Sequence, residues 1–174
     1  MRKGLAIMLI AIVVVISFAG CNIGNSPTGT TENGAGQIED KTEEDKAYVI
    51  TIFSPNENVD GLIAEQTEIA ELNESLVLDE LIQMKVVLEG TRINKFEKRE
   101  DNDKVCLIVD FNDKLADLLY SCGTSGEYVV MASIVNTYLE AYDAESFEFT
   151  INGEVFESGH IIYDEPLAFF NMNN

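Results

Sequence analysis

Three hydrophobic patterns follow one another along the chain. From Leu5 to Ile16 the residues are apolar without a break, and from Asn22 to Lys46 only Ile23 and Ile38 are large and apolar. From Ala47 onward, apolar residues alternate as strands require or recur every three to four positions as helices require. Tyr48-Val49-Ile50-Thr51-Ile52-Phe53 is β-branched and aromatic and stops at Ser54-Pro55-Asn56, which predicts a strand. A second extended piece is expected over Thr67–Leu72. Asn73 can then cap a helix whose stripe is Val77, Leu81, Met84 and Leu88, with Gly90 as its C′ residue.

Asn94–Arg99 and Lys104–Phe111 read as a hairpin turning through Glu100-Asp101-Asn102-Asp103, because Asn and Asp tolerate the positive φ of tight turns. Asp113–Tyr120 predicts a short helix. After Gly123–Gly126, Tyr128, Met131, Val135, Tyr138 and Tyr142 form one helical stripe. Phe147, Phe149 and Ile151 alternate with polar residues in a strand that ends at Asn152-Gly153, a strong tight-turn signal. Gly159–Tyr163 is a last extended piece, and Pro166 ends regular structure. Amphipathic helices need a sheet to cover. The fold class is therefore α+β, a two-layer sandwich with two main helices on a mixed or antiparallel β-sheet.

The first two patterns assign the chain's beginning. Arg2 and Lys3 precede the apolar run, and Ser17-Phe18-Ala19-Gly20-Cys21 follows it. A basic end, an apolar core and small residues describe a secretory signal peptide over residues 1–20, too short to span a bilayer. A cysteine directly after Ala19-Gly20 resembles the lipobox of bacterial lipoproteins. The resemblance makes Cys21 the site of lipidation, with a thioether to diacylglycerol forming on its sulfur before cleavage. Two or three acyl chains would anchor the protein to the membrane without spanning it. Residues 21–46 are then a lipidated cysteine and a flexible tether, too poor in apolar surface to offset ordering entropy. Residues 47–174 form a single domain with one core.

Composition narrows the partners. The chain carries 11 basic and 31 acidic residues, a formal charge of −20, and loss of residues 1–20 removes Arg2 and Lys3 but no acid. Such a surface repels phosphate backbones and anionic headgroups, so nucleic acid is not expected as a partner and the acyl chains must hold the membrane. Cys106 and Cys122 are expected as separate half-buried thiols, although an exported protein could pair them. With His160 the only histidine and no CxxC, no metal site or cofactor is expected.

Four groups invite a chemical reading. Asp110 ends an apolar strand and reads as a residue bonding nearby backbone. His160, Ser158 and Asp164 contain the letters of a triad but share one short loop with no nucleophile elbow. Asp101, Asn102 and Asp103 lack the EF-hand spacing, so they read as a solvated hairpin tip. Asn136-Thr137 stands mid-helix, where both residues are poor formers, so their side chains should bond or pack on an adjacent strand. No catalytic residue is assigned.

Taken in order, Val49-Ile50-Thr51-Ile52-Phe53, Gly90-Thr91, Val109-Asp110-Phe111, Ile134-Val135-Asn136-Thr137, Asn152-Gly153, Gly159-His160-Ile161 and Glu165-Pro166 resemble the GerMN domain of sporulation and spore germination proteins. The resemblance covers nearly all of the folded part, and the chain holds one copy. It implies an exported or lipid-anchored protein of an endospore-forming Gram-positive bacterium, on the extracytoplasmic face of the membrane. It also implies a fold similar to the ring-building modules that stack through protein contacts. The function expected is a non-catalytic lipoprotein making contacts with envelope or sporulation proteins. The alternative is binding of a cell-wall polymer such as peptidoglycan, or of a small ligand, with Tyr128, Tyr138 and Tyr142 as the aromatic contacts.

Overall fold

The computed structural model describes residues 47–172; the signal peptide, Cys21 and the tether lie outside the described residues. Strands β1 (Tyr48–Pro55) and β2 (Leu62–Ile69) form an antiparallel hairpin. Helix α1 spans Glu74–Gln83. Strands β3 (Ile93–Asp101) and β4 (Lys104–Phe111) form the second hairpin. Helices α2 (Asp113–Ser121) and α3 (Thr124–Tyr142) then carry the chain to β5 (Ser146–Ile151), which pairs parallel with β4. The parallel pair needs a crossover, and α2 and α3 supply it. The fold is α+β with a mixed three-stranded sheet in the order β3-β4-β5.

One face of that sheet is apolar. Leu107, Val109, Phe111, Phe147 and Phe149 alternate along β4 and β5 and are buried, while Cys106, Ile108, Asp110 and Glu148 between them are half-exposed. Tyr138 of α3 packs on the apolar face, its ring 5.8 Å from Phe147 and 6.4 Å from Phe96.

In four places the elements differ from the sequence pattern. First, α1 ends at Gln83, about two turns before Gly90. Lys85 takes the left-handed conformation (φ 60°), and the Val86 N–H donates to Leu81 O at 2.9 Å. Leaving the helix there buries the adjacent Val86 and Val87 together, which a continuing helix would turn about 100° apart. Second, β2 begins at Leu62 and not Thr67. Main-chain pairing with β1 recruits the polar Ala64-Glu65-Gln66 stretch that periodicity passes over. Third, β1 and β2 make a two-stranded sheet of their own.

Fourth, α3 begins at Thr124, with Gly126 inside it, and is no one-faced helix. Every residue from Val129 to Leu139 is buried. A helix enclosed on all sides is a core element, not a surface one. The sheet covers it through Tyr138. β1 meets it where the Phe53 N–H donates to Thr137 Oγ1 at 3.0 Å, and the Tyr138 hydroxyl donates to Glu74 O of α1 at 2.8 Å.

The final segment also covers α3. Leu167 exchanges both main-chain bonds with Phe147 at 2.8 Å, an isolated bridge on the free edge of β5. Beyond it, Asn136 grips Phe170 with its whole amide: Nδ2 donates to Phe170 O at 3.0 Å and Oδ1 accepts from Phe170 N at 2.8 Å.

Candidate docking surface

The residues that invite chemistry are dispersed. Asp110 accepts from Thr150 Oγ1 and Gly153 N, both at 2.6 Å, and from Asn94 Nδ2 at 3.0 Å. It therefore pins the Asn152-Gly153 turn to the end of β4, and Asn152 and Gly153 both take positive φ there. Partial burial raises its pKa, but the bonds from Thr150, Gly153 and Asn94 outweigh that and hold the carboxyl below its ordinary 3.8. A depressed carboxylate contributes stability that is present above the ordinary value and lost as pH falls through the folded one. Asp110→Asn should lose about 1–2 kcal/mol near neutral pH. Urea melts at pH 7 and pH 3 should show its deficit against the native chain shrinking in acid.

Asp101 Oδ1 accepts from Asn102 Nδ2 at 2.9 Å, while Asn102 and Asp103 hold φ of 51° and 62° as the hairpin tip. Ser158 Oγ accepts from the N–H groups of His160 and Ile161 at 3.2 and 3.1 Å, so its hydroxyl organises its own loop. Among the described residues, no group of three or more His, Cys, Asp or Glu side chains is placed to hold a metal ion. Cys106 and Cys122 are free, half-buried thiols. Thr137 bonds β1, as the helix position requires, whereas Asn136 turns the other way and holds the final segment.

The three tyrosines separate. Tyr138 is fully buried and Tyr142 half-buried, but Tyr128 is 42 % exposed. Tyr128 lies on the first turns of α3, its ring edge-on to Phe170 at 5.1 Å. Beside it a cavity of about 440 Å³ opens, lined by Val59, Asp60, Tyr128, Val129, Ile161 and Met172, with Thr124 and Ser125 at its end. Three segments distant in sequence meet here: the β1–β2 loop, the start of α3, and the final segment.

The β1–β2 loop is built around Asn56. Its N–H donates to Gly61 O and its carbonyl accepts from Val59 N, both at 3.0 Å. Its side chain accepts from Asp60 N at 3.1 Å and donates to Asp60 Oδ1 at 2.9 Å. Within this turn Val59 takes φ 55°, a left-handed conformation that costs a non-glycine residue about 1–2 kcal/mol. Val59 is nonetheless 46 % exposed, at the rim of the cavity.

Two buried residues give no signal in the pattern. Asn112 binds the Gly90 turn through Nδ2 to Gly90 O (2.9 Å) and through Oδ1 from Arg92 N (3.0 Å). Glu127, fully buried in the first turns of α3, accepts from the Tyr163 hydroxyl at 2.7 Å through Oε1, while Oε2 has no partner among the described residues. Only its place in a stretch that proves to be buried marks it out.

A family model described as Germane, sporulation and spore germination, matches residues 38–157. The chain belongs to the Germane family. The match spans β1 through the turn after β5, so the strands, the three helices and Asp110 all lie within it, while the Asn136-bound segment lies beyond its end. No curated protein matches the chain by sequence. Among solved structures, a protein from Clostridium perfringens described as a lipoprotein superposes with TM-score 0.46 and 14 % identity, over 70 % of this chain and 87 % of that one. The tandem GerMN domains of the sporulation protein GerM from Bacillus subtilis superpose with TM-score 0.44 and 16 % identity. There the shares are 70 % of this chain and 45 % of the other, so this chain spans under half the length of the tandem protein.

Proposed function

We propose that this Germane-family chain is a non-catalytic lipoprotein on the extracytoplasmic face of the membrane. It works by protein–protein contact in envelope assembly during sporulation or spore germination. The family match over residues 38–157 carries this reading. The lipobox-like sequence ending at Cys21 supports the anchor. Among the described residues no helix is long and apolar enough to cross a membrane, so the acyl chains on Cys21 would do the holding. Tethering raises the domain's effective concentration at the membrane, which lets modest contacts serve as stable ones.

The wall-polymer alternative has less surface to draw on. Of its three tyrosines only Tyr128 is well exposed; Tyr138 serves the core and Tyr142 packs beside Phe96.

Cell fractionation of native and Cys21→Ala chains tests the anchor: the native chain should follow the membranes and the variant should not. Proximity cross-linking in sporulating and vegetative cells then tests the function. Recovery of sporulation-complex proteins by the native chain alone is the expected result. Recovery of only wall glycan or metabolic enzymes in both growth states would overturn it and favour the alternative.

A further inference from the structure

The strain at Val59 asks for a purpose. A β-branched residue rarely takes a left-handed φ, and glycine would take it without penalty. Val59 takes it all the same within a turn in which Asn56 accepts from Val59 N and Asp60 N and donates to Gly61 O and Asp60 Oδ1, and an apolar side chain is thereby held at the mouth of a cavity. Strain that the surroundings over-determine gathers at ligand clamps and binding sites. The cavity, about 440 Å³, falls within the roughly 300–1,000 Å³ of ordinary ligand sites. The larger hollow of about 620 Å³ beside Tyr120 has no left-handed non-glycine residue in its lining.

Charge states what should fill it. Between Ala47 and Met84, and again from Leu115 to Met172, there is no lysine or arginine, while aspartate and glutamate recur throughout. The loop, α3 and the final segment that enclose the cavity all come from those two stretches, and the Asp60 carboxylate is on the rim. All cations of the described residues fall between Lys85 and Lys114. An anionic partner would meet uncompensated repulsion at this face, and a cationic one would be steered to it.

We propose that this groove docks an extended segment of a partner protein in which aromatic or branched side chains alternate with lysine or arginine. An apolar side chain enters between Val59, Tyr128 and Ile161, and a neighbouring cation meets Asp60. The proposal rests on the reading of the domain as a contact module and names the chemistry of its partner.

Fluorescence anisotropy with the full chain in zwitterionic detergent tests it, using labelled Lys-Phe-Lys-Phe-Lys, Glu-Phe-Glu-Phe-Glu and Lys-Ser-Lys-Ser-Lys peptides. The first should bind, and more weakly as salt rises; the second should not bind. Tyr128→Ala and Val59→Gly should each weaken it by about tenfold, as loss of a central contact does. Val59→Gly also relieves the left-handed strain, so its Tm should rise by about 3 °C while binding falls. A gain in stability with a loss of binding is a result that a merely structural Val59 would not give. Absence of binding by the Lys-Phe peptide, binding by both variants as tight as by the native chain, or no preference over the Lys-Ser peptide would overturn the proposal. If that happens while the envelope cross-links persist, the docking groove falls and the contact function stands; if both are lost, both fall.

Discussion

Tyr138→Ala is expected to destabilise the domain by about 3–5 kcal/mol, the range for removing a large aromatic from a packed core. Tyr138 has no exposed surface, and its ring sits among Phe96, Tyr142 and Phe147 at centroid distances of 5.8–6.4 Å. It joins three elements, since the ring packs on the sheet and the hydroxyl donates to Glu74 O at the start of α1. Its removal leaves a cavity that α3, enclosed on all sides, cannot collapse to fill. A domain of this size is stable by about 5–15 kcal/mol, so the variant approaches or passes the threshold of folding. Calorimetry should show Tm lower by about 10–20 °C. Tyr138→Phe separates the two contributions: it keeps the ring and loses one hydrogen bond, for about 1 kcal/mol. If Tyr138→Ala melted within a few degrees of the native chain, the central role of α3 in the core would be wrong.

That centrality is what the periodicity of α3 conceals. Met131, Val135 and Tyr138 are legible as one apolar stripe, and all three are buried. The other faces carry Ala132, Ser133, Asn136 and Thr137, and although Asn136 and Thr137 are expected to bond or pack on an adjacent strand, the pattern names no partner for either. Thr137 and Asn136 are buried because specific backbone groups, Phe53 N and both polar atoms of Phe170, satisfy them. Those partners lie 84 and 34 residues away in sequence, beyond the reach of any local pattern.

Local chemistry is legible where local bonds decide. Asn73 caps α1 by accepting from Ser75 N at 2.9 Å, and Asn102-Asp103 and Asn152-Gly153 turn with the positive φ their residue types allow. Gly90 misleads for the converse reason. It does adopt positive φ (86°), but in the turn that Asn112 fastens, after Lys85 has already ended the helix. The surface is the least legible part. Val59, Tyr128 and Ile161 look like ordinary loop, stripe and strand residues, and only the fold brings them around one cavity.

The Glu127–Tyr163 pair should give the second large effect. Tyr163→Phe removes the one hydrogen bond that the wholly buried Glu127 carboxyl group makes among the described residues, where its Oε2 has no partner. A buried acid left without its donor destabilises by about 2–3 kcal/mol, more than the missing bond is worth in itself. Glu127→Leu combined with Tyr163→Phe should recover most of that loss, because replacing both partners by apolar groups is close to neutral. A double-mutant cycle by urea melts reads the coupling directly. Additive losses would mean that the two side chains act independently. The pair also sets a pH limit. Burial raises the Tyr163 pKa, and both the hydrogen bond to Glu127 and its negative charge raise it further above the ordinary 10. A raised folded pKa contributes stability that is complete below pH 10 and is lost as pH climbs toward the folded value. The native chain should therefore weaken above pH 10 more steeply than Tyr163→Phe, and the gap between them should narrow as the hydroxyl proton is drawn off. Because Tyr163 sits between Phe149 and Phe156 and ties the last loop to the first turns of α3, this loosening would begin beside the groove of Val59 and Tyr128.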